Sequence, residues 1–194
     1  KSVEWTKTDS VLEALILEAN LIRTHKPRSN TDLKDDKSFN HLVITNEEYP
    51  RVLVVRGKDL TERFSKSEIK RVVGPFPNGM QFREALKIVR KIFRFYDTDR
   101  PVRDMKTKMA RGTVDFNRQI GLYPGEGDKE EYVKTIRHIS LLFDGKKNQL
   151  LKEIEKEMLA YAKAEEFEVA QEWKRRLFAL RHIQDVALIK ESLR

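Results

Sequence analysis

Residues 41–56 read HLVITNEEYPRVLVVR, and the fold class turns on this stretch. Two runs rich in Val, Leu and Ile, at 41–46 and 51–56, flank the connector EEYP. Short spacing between β-rich runs predicts an antiparallel hairpin. Most of what surrounds it reads as helix or loop, so the expected class is α+β. Upstream, SVLEALILEANLIRT at 10–24 predicts a helix capped by Asp9 or Ser10 and stopped by Pro27. The polar run RSNTDLKDDKSFN at 28–40 is expected to be a loop. Downstream, Gly74, Pro75, Pro77 and Gly79 predict a turn before a helix over roughly 80–94. Residues 97–127 are charged, broken by glycines and two prolines and without clear periodicity, which predicts a loop-dominated segment. Helix is expected again at 129–144, with a break at Asp144–Gly145 and continuation from 147.

The last third predicts a helical hairpin. Leu151, Ile154, Met158 and Tyr161 recur at helical spacing, as do Phe167, Ala170, Trp173, Leu177 and Leu180, with AKAEEF between them as the turn. Two helices of this length bury too little surface to stand alone. Their apolar seam is completed either by a partner's helices or by the chain's own middle.

Composition narrows the function classes. The 194 residues contain no cysteine, which excludes disulfides, thiolate metal sites and a cysteine nucleophile. No apolar run approaches the ~20 residues of a membrane span, and no charged-then-apolar leader opens the sequence. The expectation is a soluble, cytoplasmic protein with no membrane partner. The sequence opens on Lys1 without an initiator methionine and reads as a piece of a longer chain. The net charge of +8 is uneven: residues 51–118 carry 18 Lys and Arg against 8 Asp and Glu. A basic middle between near-neutral flanks is the footprint of a binder of phosphate backbones. The four histidines, His25, His41, His138 and His182, show no metal-ligand spacing, and GPFPNG lacks the ending of a phosphate-binding loop.

Helix geometry singles out one carboxylate. Glu13 shares its side of the first helix with Asp9, Asn20 and Thr24, which reads as a solvated position. Glu18 has Val11, Ala14, Leu15, Leu21, Ile22 and His25 within about 60° of its direction. A carboxylate in an apolar stripe is costly unless it is paired or binds metal. The two readings are a divalent cation, which takes oxygen ligands, and a buried Arg or Lys partner.

Five phrases now assemble into a pattern. EALILEANLIRTHKPRSN, LKDDKSF, VVGPFPNG, FNRQIGLYPG and EKEMLAYAKAEEFEVAQEWKRRLFAL occur in an order that resembles the UvrC family of excinucleases, over about residues 8–185. The resemblance implies nucleotide excision repair: a protein that joins UvrB on damaged double-stranded DNA and contributes metal-dependent incision, on the 3′ side of the lesion through a GIY-YIG nuclease domain. By the same resemblance Glu18 is the glutamate that holds Mg²⁺ or Mn²⁺ in that nuclease, and Asn30 is the asparagine near its active site. The implied organisation is the end of a GIY-YIG-like domain over 1–33, a basic hairpin-containing middle over 34–145 and a UVR-like helical hairpin over 146–194. Lys34, Lys37, Arg51, Arg56, Arg83, Lys87, Arg90 and Lys91 are the candidate DNA contacts. Phe167, Ala170, Trp173 and Leu177 fit the partner-binding pattern.

The departures matter as much. The strands bearing the nuclease's tyrosine and arginine are expected before Lys1, so these 194 residues are expected not to incise by themselves. Family members typically carry four cysteines suited to an iron–sulfur cluster. Here Asp97, Asp115, Tyr123 and Gly127 stand at or near those positions, so no cluster is expected and the 97–127 loop is expected to be mobile. In the hairpin Glu165, Lys174 and Arg175 replace the usual Leu, Arg and Asp. Two further readings follow: a non-catalytic adaptor binding DNA and UvrB, or a hairpin that is the only functional part, as in protease-adaptor proteins.

Overall fold

The computed structural model describes residues 3–26, 39–105, 107–125 and 129–183. The first helix, α1 (Val11–His25), starts where Ser10 accepts a hydrogen bond from the Glu13 backbone N–H at 3.2 Å, and ends on Lys26 in a left-handed conformation. β1 (Asn40–Thr45) and β2 (Val52–Arg56) form the expected antiparallel hairpin, with Val43 opposite Leu53. A short helix, α2 (Gly57–Arg63), follows directly.

The sheet has a third strand where the sequence predicts a turn. β3 (Ile69–Phe76) runs antiparallel to β1 on its other side, giving the order β2–β1–β3. Gly74 and Pro75 lie inside it, where the pairing with β1 shifts register between Asn40 and Leu42. Strands tolerate Gly and Pro at an edge or an irregularity, and both conditions hold here.

The strand pleat divides the core. Leu42, Ile44, Val52, Val73 and Phe76 belong to the large cluster shared with the long helices. Val43, Leu53 and Val55 form a second cluster under Leu60, Phe64, Ile69 and Val72, so α2 lies on the opposite face. On the main face α1 packs against β3 and against α3 (Gly79–Ile92), whose N-cap Asn78 accepts from the Gln81 N–H at 3.0 Å. Phe76 stacks on Phe82 with centroids 3.9 Å apart, and Phe143 meets both rings edge-on.

The segment expected to be loop-dominated contains α4 (Lys108–Gln119), capped by Thr107. It is polar overall and buries one apolar residue, Val114, leaving Met109 and Phe116 exposed. What fixes the segment is polar and aromatic. The Tyr123 hydroxyl donates to Asp97 at 2.7 Å, its ring meets Tyr96 at 5.1 Å, and Arg118 donates to the Tyr96 hydroxyl at 3.2 Å. Asp97 also pairs with Arg90 at 2.6 Å, and Asp115 with Arg118 at 3.3 Å. Thus Asp97, Asp115 and Tyr123 stand in one side-chain network, and with α4 it corrects the expectation of a segment dominated by loop; Gly127 lies outside the described residues.

α5 (Lys129–Phe143), α6 (Lys147–Lys163) and α7 (Phe167–Arg181) follow, with Gly145 at φ 72° in the first turn and Glu165 at φ 63° in the second. The hairpin seam closes on the chain itself. Leu150, Ile154, Trp173, Leu177 and Leu180 join the same core as the sheet and α3. Three side-chain links tie the α5–α6 turn to distant elements. Lys147 pairs with Glu13, Asn20 donates to the Phe143 carbonyl, and Arg71 of β3 pairs with Asp144. Among the described residues no helix is long and apolar enough to cross a membrane.

Candidate functional site

α1 carries apolar residues on two adjoining faces, and the fold uses one of them. Leu12, Leu15, Ile16 and Ala19 are buried, and their mean direction lies roughly a third of a turn round from Glu18. Apart from Leu15, the stripe around Glu18 is left largely outside: Val11 is 61% and Leu21 46% exposed, and Glu18 itself is exposed. The expectation of a buried carboxylate is therefore corrected. Glu13, expected to be solvated, is instead the half-buried one, paired with Lys147.

Glu18 opens into a groove of about 470 Å³ lined by Thr6, Thr8, Ala14, Leu17, Leu21, Ile22 and His25. Among the described residues it has no hydrogen-bond or ion-pair partner, so its oxygens are open to a ligand. The residues present do not make up a metal site. Among the described residues no group of three His, Asp or Glu side chains converges, and His25 is the only other ligand type in the groove. Asn30 lies outside the described residues, as do Lys34 and Lys37.

The basic residues sort by burial. Arg51 is 5% exposed: it pairs with Glu47 at 2.6 Å and donates to the carbonyls of Thr98 and Asp99 at 2.9 and 2.7 Å. It braces the end of β2 and cannot reach a phosphate. Arg90 is half-buried, paired with Asp97 and lying 4.2 Å over the Phe95 ring. Both are corrected as DNA contacts, since their guanidinium groups are spent inside the protein. Arg56, Arg83, Lys87 and Lys91 are exposed, the last three at four-residue intervals along one side of α3.

On the hairpin, Trp173, Leu177 and Ala170 are 1%, 5% and 8% exposed, while Phe167 is 67% exposed. The first three fill the chain's own core, which decides between the two readings of the seam and removes them from a partner surface. Sequence periodicity does not separate the helix face turned inward from one turned to a partner. Phe178, which no sequence pattern singles out, is 64% exposed and stacks on His182 at 4.1 Å. It lies about three turns beyond Phe167 on the same side of α7.

Beneath α7, His138 is 3% exposed between Phe93 and the Trp173 ring. Burial pushes it down to about 4, against the opposing pull of Glu153 3.7 Å away. Glu153 is held at about 2, chiefly by its hydrogen bonds from Arg137. Burial also raises Tyr123 and Tyr132 above the usual phenol range.

The helices of the hairpin carry a recognisable signature. The UvrB/uvrC motif (UVR) matches residues 148–183, which span α6, the turn and α7. UvrABC system protein C of Alkaliphilus oremlandii is 35% identical over 185 residues, covering 93% of this chain and 28% of that protein. The proteins of the same name from Caldicellulosiruptor saccharolyticus and Gloeobacter violaceus are 31% and 35% identical, over 94% and 93% of this chain and 30% and 28% of theirs. The chain thus spans less than a third of the length of these relatives. No solved structure matches it. Over about nine-tenths of its length the chain is thus similar to UvrC proteins, and the UVR motif falls on α6 and α7.

Proposed function

We propose that the chain is the part of a UvrABC-type excision-repair endonuclease that docks on UvrB at damaged duplex DNA and brings Glu18 to the 3′ incision. The observation that carries this is the alignment with UvrC proteins over 93% of the chain, with the UVR motif on the α6–α7 hairpin. The exposed face of α7 with Phe167 and Phe178 supplies large apolar anchors of the kind that dominate interfaces. Arg56, Arg83, Lys87 and Lys91 supply exposed cations for the phosphate backbone. A divalent ion, Mg²⁺ or Mn²⁺ in this reading, would stabilise charge on the scissile phosphate. Glu18 is the one carboxylate of the groove and would be one of its ligands, with the others contributed from beyond the described residues.

One observation favours a second reading, a non-catalytic adaptor for DNA and UvrB: among the described residues Glu18 stands without a second carboxylate. Incision of the lesion strand on a duplex preloaded with UvrB, with Mg²⁺ or Mn²⁺, by a protein in which these residues are joined to the upstream GIY-YIG strands, separates the two. The nuclease reading expects cutting that falls at least ~100-fold in Glu18→Ala, while the exposed position leaves stability unchanged. Retention on the UvrB–DNA complex without cutting in either form leaves the adaptor. Absence of retention overturns both.

A further inference from the structure

Where the end of α3 meets α7, two adjoining notches of about 170 and 210 Å³ share Arg94 and Arg176 as common wall. The first is completed by Pro124, Gly125, Glu131, Tyr132 and Thr135, the second by Lys91, Ile92, Glu172, Arg175 and Ala179. Four cations therefore face two carboxylates. Glu172 is engaged by Arg175 at 2.7 Å and Glu131 by Arg176 at 3.2 Å. Lys91 and Arg94 have no anionic partner among the described residues, leaving the site with two uncompensated positive charges. Arg94 lies across the turn after α4, its guanidinium 3.9 Å from where a Cβ on Gly121 would stand. Arg176 is anchored by its face over the Trp173 ring at 4.6 Å, and its buried Nη1 has no hydrogen-bond partner.

Guanidinium groups gathered in a concave, polar site repel one another unless an anion sits between them. Their planar forks match the oxygens of a phosphate. We propose that this notch, with Arg94 and Arg175 as its reachable arms and Lys91 at its rim, binds a phosphate group. The Lys87–Lys91 line of α3 runs into the notch, so a backbone phosphate of DNA is the favoured source, and in that respect the assignment rests on the function proposed above. It adds that the hairpin carrying the UVR motif touches nucleic acid through α7, on residues separate from Phe167 and Phe178.

The test uses the intact chain with Arg94→Ala and Arg175→Glu. Both side chains are exposed, so folding is preserved, and Arg176 is left in place because it packs on Trp173. Lys58→Ala, on the α2 face of the sheet, is the charge control. Affinity is measured for a duplex oligonucleotide over a salt series and, separately, for pyrophosphate. Weakening of DNA binding by about tenfold in each variant, with a shallower salt dependence and little change in Lys58→Ala, supports the notch as a backbone site. Pyrophosphate binding lost in the variants with DNA binding intact supports a site for free phosphate. Both affinities unchanged in both variants overturns it. A wild-type chain that binds no DNA at low salt sinks the excision-repair reading, while the pyrophosphate arm still decides the notch.

Discussion

Tyr123 shows how a single side chain replaces what periodicity does not supply. Its ring is 5% exposed against Tyr96, and its hydroxyl donates to Asp97, which Arg90 also holds. Removing the hydroxyl leaves Asp97 with Arg90, so Tyr123→Phe is expected to cost about 1 kcal/mol, the worth of one hydrogen bond. The urea midpoint measures it, and an unchanged midpoint would show that the bond contributes nothing net. The residues are visible in the sequence, but their pairing is not. Asp97 and Tyr123 are 26 positions apart and meet through tertiary packing. Glu18 is legible in the opposite sense. Helix geometry places it correctly among Val11, Leu21 and Ile22, yet does not say that the neighbouring face, through Leu12 and Ala19, is the one that goes inside.

Among the elements, those with strong local signals are readable. α1 has a capping serine, β1 and β2 have β-branched runs, and α6 and α7 have regular apolar spacing. β3 escapes such a reading because Gly74 and Pro75 speak for a turn, and only pairing with β1 makes that sequence a strand. α4 escapes it because its residues are mostly polar, Gly112 interrupts them and only Val114 is buried. The end of α6 carries a usable flaw. Glu165 holds φ 63° just past the helix, a conformation that favours glycine. Glu165→Gly is expected to stabilise the hairpin by roughly 0.5–1 kcal/mol, seen as a rise in thermal midpoint. A fall would mean that the Glu165 side chain contributes more than its backbone strain costs.

For the whole molecule the sheet, α1, α3 and the hairpin share one apolar core, and His138, buried beside it, makes the fold sensitive to acid. In the folded chain burial lowers it to about 4, whereas the unfolded chain takes up a proton near the ordinary value of 6.5. The unfolded state therefore binds more protons between these values, and stability falls as pH drops from about 6.5 to 4, by about 3 kcal/mol. Glu153, lowered to about 2, adds a further loss only below its ordinary value of 4.5. Denaturant melts between about pH 7 and 4 should show this slope, and His138→Phe should flatten it; a slope unchanged in the variant would assign the loss elsewhere. The links at the α5–α6 turn have a mechanical consequence. Lys147 and Glu13 are 134 positions apart in sequence, yet they clamp the base of the hairpin to the helix that bears Glu18, while Asp144 fastens the same turn to β3. A force applied to the hairpin by anything gripping Phe167 or Phe178 is delivered to α1 across these side chains and through the shared core. The hairpin is thus fastened to the helix that lines the groove by side chains as well as by the core.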